Sequence, residues 1–324
     1  MLEFTINPES LQAKGRSGLY DVLIIGGGAA GLTAAIYTSR DSLKTLLLER
    51  EGTGGLAATT GRIENYPGFP DGINGMELLE RFRKQAERFG AEISEFDEVV
   101  KVAPVKKGVI NVHTQSGRVY TGKTVVIATG SRPKRLNVPG EQEFFGRGVS
   151  YCATCDGPLF KDKNVIIVGM GNSGLQEGWQ VLEYAKHVTF LGFLPNIRTE
   201  KILQERIKNH PQVTMRFNQQ VTAIQGDKTV TGVVAVDRET HEEHFYPADG
   251  VFIYVGYSPY SQFVADLVET NPAGYIITDD KMRTKVAGLY AIGDVRADNP
   301  AQLSVSVGDG AKAALAIRDF ILKL

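Results

Sequence analysis

The chain has 324 residues, with 36 basic against 37 acidic side chains, 42% hydrophobic residues and a mean hydropathy of −0.13. That length supports a sizeable core and about two domains, and the charge balance argues against a general nucleic-acid binder. No apolar run is long enough to span a bilayer, the polar start lacks a secretory signal's apolar stretch, so a cytoplasmic location is expected, and two cysteines cannot staple a scaffold or supply four zinc thiolates.

Residues 1–19 precede the first patterned segment and read as an arm. The stretch 22–50, VLIIGGGAAGLTAAIYTSRDSLKTLLLER, predicts a strand, a Gly-rich turn, a helix and a second strand, the opening of a βαβ unit. Gly26, Gly28 and Gly31 form G-x-G-x-x-G between strand Asp21–Ile25 and a helix opened by Ala29 and Ala30. Such glycines allow a tight turn, a close approach to a pyrophosphate and close helix–strand packing, and the helix N-terminus favours phosphate. Glu49, at the end of the next strand, suits an adenosine ribose hydroxyl. A further strand is expected at Thr124–Ala128, followed by a linker over 131–138.

The opening recurs without a gap at 165–193, VIIVGMGNSGLQEGWQVLEYAKHVTFLGF, with Gly169, Gly171, Asn172, Ser173 and Gly174 in the second turn. Two such openings predict two dinucleotide-type domains. A turn-rich stretch follows at 257–262. The tail, with GLYAIGDV (288–295) and a helix-like GDGAKAALAIRDFILKL, is too short to fold alone and is expected to return to the first domain. Both cysteines lie in Cys152-Ala153-Thr154-Cys155, between the two openings; none of the five histidines is spaced to complete a metal site with them.

Several separated blocks together resemble the low-molecular-weight thioredoxin reductases, flavoprotein disulfide reductases: GGGAAGLTAAIYTSR, GGLAATTGRIENYPGF (54–69), VVIATGSRPKRLNVPGE (125–141), YCATCDGPLF (151–160), VIIVGMGNSG, GLYAIGDV and QLSVSVGDGAKAAL (302–315). The resemblance implies an α/β fold of two Rossmann-like, three-layer domains. An FAD domain (1–133 and 259–324) is interrupted by an inserted, degenerate NAD(P)-type domain (134–258) that carries the C-x-x-C and swivels about short connections. It implies a homodimer, and one FAD per chain held by Gly26, Gly28, Ala29, Ala30, Gly31, Glu49 and Arg50. The flavin half would lie by Gly55, Leu56, Thr60, Asn65, Ala128, Thr129, Gly130, Gly293, Asp294, Gln302 and Leu303. It also implies that Cys155 faces the flavin, Cys152 attacks the disulfide of a thioredoxin-like acceptor, and Asp156 is the acid/base for the leaving thiolate.

The second turn departs from the pattern. The family's basic cluster for the 2'-phosphate of NADPH is replaced by Gly192, Phe193 and Leu194, leaving Arg198 alone, and Gly192 stands where the repeat places Glu49. Tyr254 and Tyr257 replace smaller or imidazole side chains, while Leu56 and Ala301 replace an expected Gln and Arg. The expectation is therefore a donor other than NADPH: ferredoxin, or a second flavin stacked among Phe193, Tyr254 and Tyr257. An NADPH-dependent reductase with an altered phosphate site and a non-enzymatic, flavin-bound redox sensor are the alternatives.

Overall fold

The computed structural model describes residues 18–197 and 199–324, so most of the expected N-terminal arm, 1–17, lies outside the described residues. Two compact units are present. One comprises the chain up to Ala58, Glu64–Ser131 and Pro259–Leu324; the other comprises Thr59–Ile63 and Arg132–Ser258.

In the first unit the chain runs β1 (Tyr20–Ile25), α1 (Ala29–Arg40), β2 (Thr45–Leu48), α2 (Gly55–Ala58), α3 (Gly75–Arg88), β3 (Glu92–Ser94), β4 (Val99–Lys106), β5 (Val109–Thr114) and β6 (Val119–Ile127). The strands lie in the order β3-β2-β1-β6-β5-β4. The β1, β2, β3 and β6 pairings are parallel, with Leu23 opposite Leu46 and Val125, whereas β4, β5 and β6 form an antiparallel meander. The central strands are buried on both faces, as a sheet covered on each side requires. Helix α1 is small-residue-rich and buried nearly all round, so it lacks a polar face.

The chain passes between the units through β7 (Ser131–Pro133). The second unit then holds β8 (Val149–Ser150), α4 (Ala153–Asp156), β9 (Asn164–Val168), α5 (Asn172–Val181), β10 (His187–Leu191), α6 (Lys201–Lys208), β11 (Val213–Arg216), β12 (Gln219–Gly226), β13 (Val230–Asp237), β14 (Glu243–Pro247) and β15 (Gly250–Ile253). Its parallel sheet has the order β11-β10-β9-β15-β8, and β12-β13-β14 form a separate antiparallel sheet. Alternate residues of the parallel strands enter opposite cores. Val165, Ile167, Phe190 and Phe252 lie on one side; Ile166, Val168, Leu191 and Val251 lie on the other.

The chain returns through β16 (Tyr257–Pro259), which pairs with β7. The two stretches expected as irregular connections thus contain a two-stranded ribbon. Its strands are far apart in sequence, so no local pattern announces the pairing. The tail then adds β17 (Leu289–Ala291) beside β6, with Leu289 opposite Val125, and α7 (Leu303–Ile321), which packs along α1. The tail therefore completes the first unit. Among the described residues, no helix is long and apolar enough to cross a membrane.

Candidate active site

The cysteine pair opens α4. Cys152 and Cys155 are joined in a disulfide; Cys152 is half-buried and Cys155 exposed. Cys152 is the N-cap, and its Sγ accepts the Cys155 N–H at 3.2 Å. After reduction that N–H favours a thiolate on Cys152. Ser150 ties the neighbourhood together. Its hydroxyl donates to Asp156 Oδ2 at 2.6 Å and accepts the Cys152 N–H at 3.0 Å. No sequence pattern marks Ser150; its adjacency to the cysteine motif is the only sequence signal.

In the first unit, the Gly-rich turn has the form a dinucleotide needs. Gly26 has φ +109°, and a Cβ on Gly31 would overlap the Gly26 carbonyl oxygen. Gly28 is the N-cap of α1 and offers no side-chain cap, and the space beside it is open. The first-turn N–H groups of Ala29 and Ala30 can therefore meet phosphate. Glu49 Oε2 accepts the Gly27 N–H at 2.6 Å and Oε1 accepts the Glu51 N–H at 3.0 Å. Arg50 lies over the Tyr260 ring at 4.8 Å. Gly55 begins α2 beside Gly28, and Leu56 follows it, partly exposed.

Long-range packing gathers the other flavin candidates of this unit. Ala128 donates to the Ile25 carbonyl at 2.7 Å, the Thr129 hydroxyl donates to the Tyr260 carbonyl at 2.6 Å, and the Gly130 carbonyl accepts the Tyr260 N–H at 3.0 Å. Gly293 turns against Ala30. Asp294 accepts the Ser306 hydroxyl at 3.0 Å, and burial pushes its carboxyl above the ordinary range. Asn65 donates to the Gln302 side chain at 3.2 Å, and Gln302 N-caps α7 without a side-chain cap, leaving the turn begun by Leu303 open. An open glycine turn, an uncapped helix start and a half-buried acid fit FAD. Thr60 falls in the 59–63 segment, which belongs to the second unit.

In the second unit, Gly169 has φ +115°, Gly171 N-caps α5 without a side-chain cap, and Asn172 Oδ1 accepts the Glu200 N–H at 3.2 Å. Ser173 lies in the first turn of α5. The turn therefore retains a phosphate-binding form. Three of the aromatic and basic candidates behave differently from one another. Tyr254 is 8% exposed and packs in the core with Ala153 and Met170, so it has no free face on which a second flavin could stack. Tyr257 is half-buried in β16. Phe193 is 51% exposed, and Arg198 lies outside the described residues. Arg238, from the β13–β14 turn, stacks over Phe193 at 3.7 Å and donates to its carbonyl oxygen at 3.0 Å. This guanidinium was missed in the sequence because it comes from another sheet.

Residues 20–310 match the family described as pyridine nucleotide-disulphide oxidoreductase. The chain is 41% identical to a thioredoxin reductase of Bacillus subtilis over 94% of this chain and 96% of that protein. Its fold is similar to the crystal structure of Lactococcus lactis thioredoxin reductase (TM-score 0.91, 38% identity, covering 94% of this chain and 100% of that one). It is also similar to that of T. acidophilum thioredoxin reductase (TM-score 0.89, 42% identity, covering 94% and 99%). The chain belongs to the thioredoxin reductase family. It is a flavoprotein disulfide oxidoreductase of two Rossmann-like domains, which sets aside the non-enzymatic sensor. The matching family is described by pyridine nucleotides, so the comparisons do not support the expected replacement of NADPH; they favour the NADPH-dependent alternative.

Proposed function

We propose that this enzyme passes two electrons from NADPH, through FAD, to the Cys152–Cys155 disulfide and on to a thioredoxin-like protein. The observation that carries the reading is the Cys155 N–H aimed at Cys152 Sγ, with Asp156 tied through Ser150 to the same backbone. That arrangement suits Cys152 as the attacking thiolate and Asp156 as the acid that protonates the leaving thiolate. FAD supplies two-electron transfer between the nucleotide and the disulfide. Gly26, Gly28, Gly31 and Glu49 would hold its ADP half, with Asp294, Gln302 and Leu303 on the flavin side. Homodimerisation and a cytoplasmic setting belong to the same proposal.

For the donor, the uncapped α5 start would take the pyrophosphate, and Arg238 supplies a guanidinium beside the turn that lacks the family's basic cluster. A second reading retains the acceptor half and uses ferredoxin or a second flavin as donor. It is favoured by Gly192, which offers neither acid nor base, and by the half-exposed Phe193 ring. Mixing holoenzyme anaerobically with NADPH or with reduced ferredoxin separates the two. Rapid flavin bleaching by NADPH supports the first reading. Bleaching by ferredoxin alone supports the second.

A further inference from the structure

One buried carboxylate tied to the cysteine motif has no part in the reaction described above. Glu141 is 4% exposed and lies in the stretch between β7 and β8. Its Oε1 accepts the Leu136 N–H at 2.8 Å, and its Oε2 accepts the Asn137 N–H at 2.6 Å. Asn137 has φ +57°, a left-handed conformation that turns two successive N–H groups toward one anion. A third donor comes from further along the chain: the Tyr151 hydroxyl donates to Glu141 Oε1 at 2.5 Å. Tyr151 lies between β8 and Cys152, the N-cap of α4, with its ring 5.9 Å from that of Phe145. The carboxylate therefore ties the chain just after β7 to the residue next to Cys152. A buried charge satisfied by three donors holds them firmly, because a lost donor leaves charge unpaired in a low dielectric.

We propose that Glu141 is a positioning residue that, through Tyr151, holds Cys152 in place while the disulfide is open. In the oxidised enzyme the S–S bond itself fixes Cys152 beside Cys155. Reduction adds two electrons and one proton: the bond breaks, Cys155 becomes a thiol and Cys152 remains a thiolate. The covalent tie is then gone. The Glu141–Tyr151 hydrogen bond keeps the chain ahead of α4 fixed, alongside the Ser150 contact to the Cys152 N–H. Cys152 attacks the partner disulfide, and one partner thiolate leaves, taking a proton through Asp156. Cys155 then closes on Cys152, and its proton goes to the second partner thiolate as that leaves. Closure is favoured to the extent that the two sulfurs already face each other. The anchor thus acts on the open enzyme and is redundant in the closed one. The inference rests on the redox role of the cysteine pair and is independent of the electron donor.

The test equilibrates flavin-loaded enzyme at neutral pH with mixtures of reduced and oxidised dithiothreitol and counts Cys152 and Cys155 thiols by alkylation. Tyr151→Phe keeps the ring and removes only the hydroxyl. It should raise the reduced-to-oxidised ratio about threefold to tenfold, because opening the bond then releases freedom that the anchor withholds. Glu141→Gln should raise the ratio at least as far, and the double variant no further than Glu141→Gln alone. A merely structural tie would lower the melting temperature of both redox forms alike and leave the ratio unmoved. An unmoved or lowered ratio in Tyr151→Phe would overturn the proposal, whether or not Glu141→Gln folds. The redox reading fails in a different way: wild-type cysteines that dithiothreitol never reduces would overturn it, and the proposal with it.

Discussion

Met170 and Gly192 occupy in the second unit the positions that Gly27 and Glu49 hold in the first. Glu49 reaches back to the Gly27 N–H at 2.6 Å, whereas a Cβ on Gly192 would come within 2.8 Å of the Met170 sulfur. The Met170 thioether thus covers the place where the first unit puts its ribose-binding acid. The two dinucleotide turns share a backbone and differ in this exchange of side chains.

Gly192→Glu should destabilise the protein by about 1–3 kcal/mol, the ordinary result of overpacking. Adding Met170→Gly should recover part of that loss, giving a non-additive double-mutant cycle because the two side chains contend for one space. Urea midpoints of the three variants check this.

Gly31→Ala should impair flavin retention, since its Cβ would overlap the Gly26 carbonyl on which the phosphate turn closes. The flavin-to-protein absorbance ratio after purification measures the loss. Gly28→Ala has open space at its Cβ and should fold normally. It should weaken FAD only by obstructing the close approach of the pyrophosphate.

Half-buried Arg296 and buried Asp309 form a two-pronged pair, with contacts of 2.9 and 3.2 Å, and Asp309 also accepts the Gly293 N–H at 3.1 Å. Asp309→Ala should cost about 3 kcal/mol, because it leaves the largely enclosed Arg296 charge uncompensated. It should also weaken FAD binding by loosening the turn that carries Asp294. A thermal melt and a flavin titration read the two effects separately.

The parts legible in the sequence were those whose chemistry is local. Each glycine fingerprint lies within a few residues of its strand and helix, and Cys152, Cys155 and Asp156 share one short helix. What was missed arrives from a distance. Arg238 reaches Phe193 from another sheet, and Tyr254 turns inward to the core instead of lining a cleft. Gly192 read as the loss of a ligand contact. Its structural meaning, room for Met170, depends on a side chain that periodicity does not orient.

Glu177, on α5, makes folding stability pH-dependent. Burial pushes its carboxyl up to about 7 from an ordinary value of 4.5, so the folded state binds the proton more tightly. This contribution is fully present below the unfolded value and is lost as pH rises through the folded one. Glu177→Gln should therefore gain stability relative to wild type between pH 5 and pH 8, by up to about 3 kcal/mol. Urea unfolding of the oxidised proteins at both pH values checks the sign.

Arg238→Ala should raise KM for NADPH roughly tenfold or more while leaving that for NADH little changed, as the loss of a phosphate-directed guanidinium requires. Equal effects on both nucleotides would assign Arg238 to packing on Phe193.

The most direct measurement follows the visible flavin band anaerobically as holoenzyme is mixed first with two equivalents of NADPH, enough to reduce both the flavin and the disulfide, and then with excess oxidised thioredoxin. In the wild type the band should bleach and then recover. In Cys152→Ser it should bleach and stay bleached when thioredoxin is added. A wild-type flavin that NADPH leaves oxidised, or a Cys152→Ser enzyme that thioredoxin reoxidises as fast as wild type, would contradict the account.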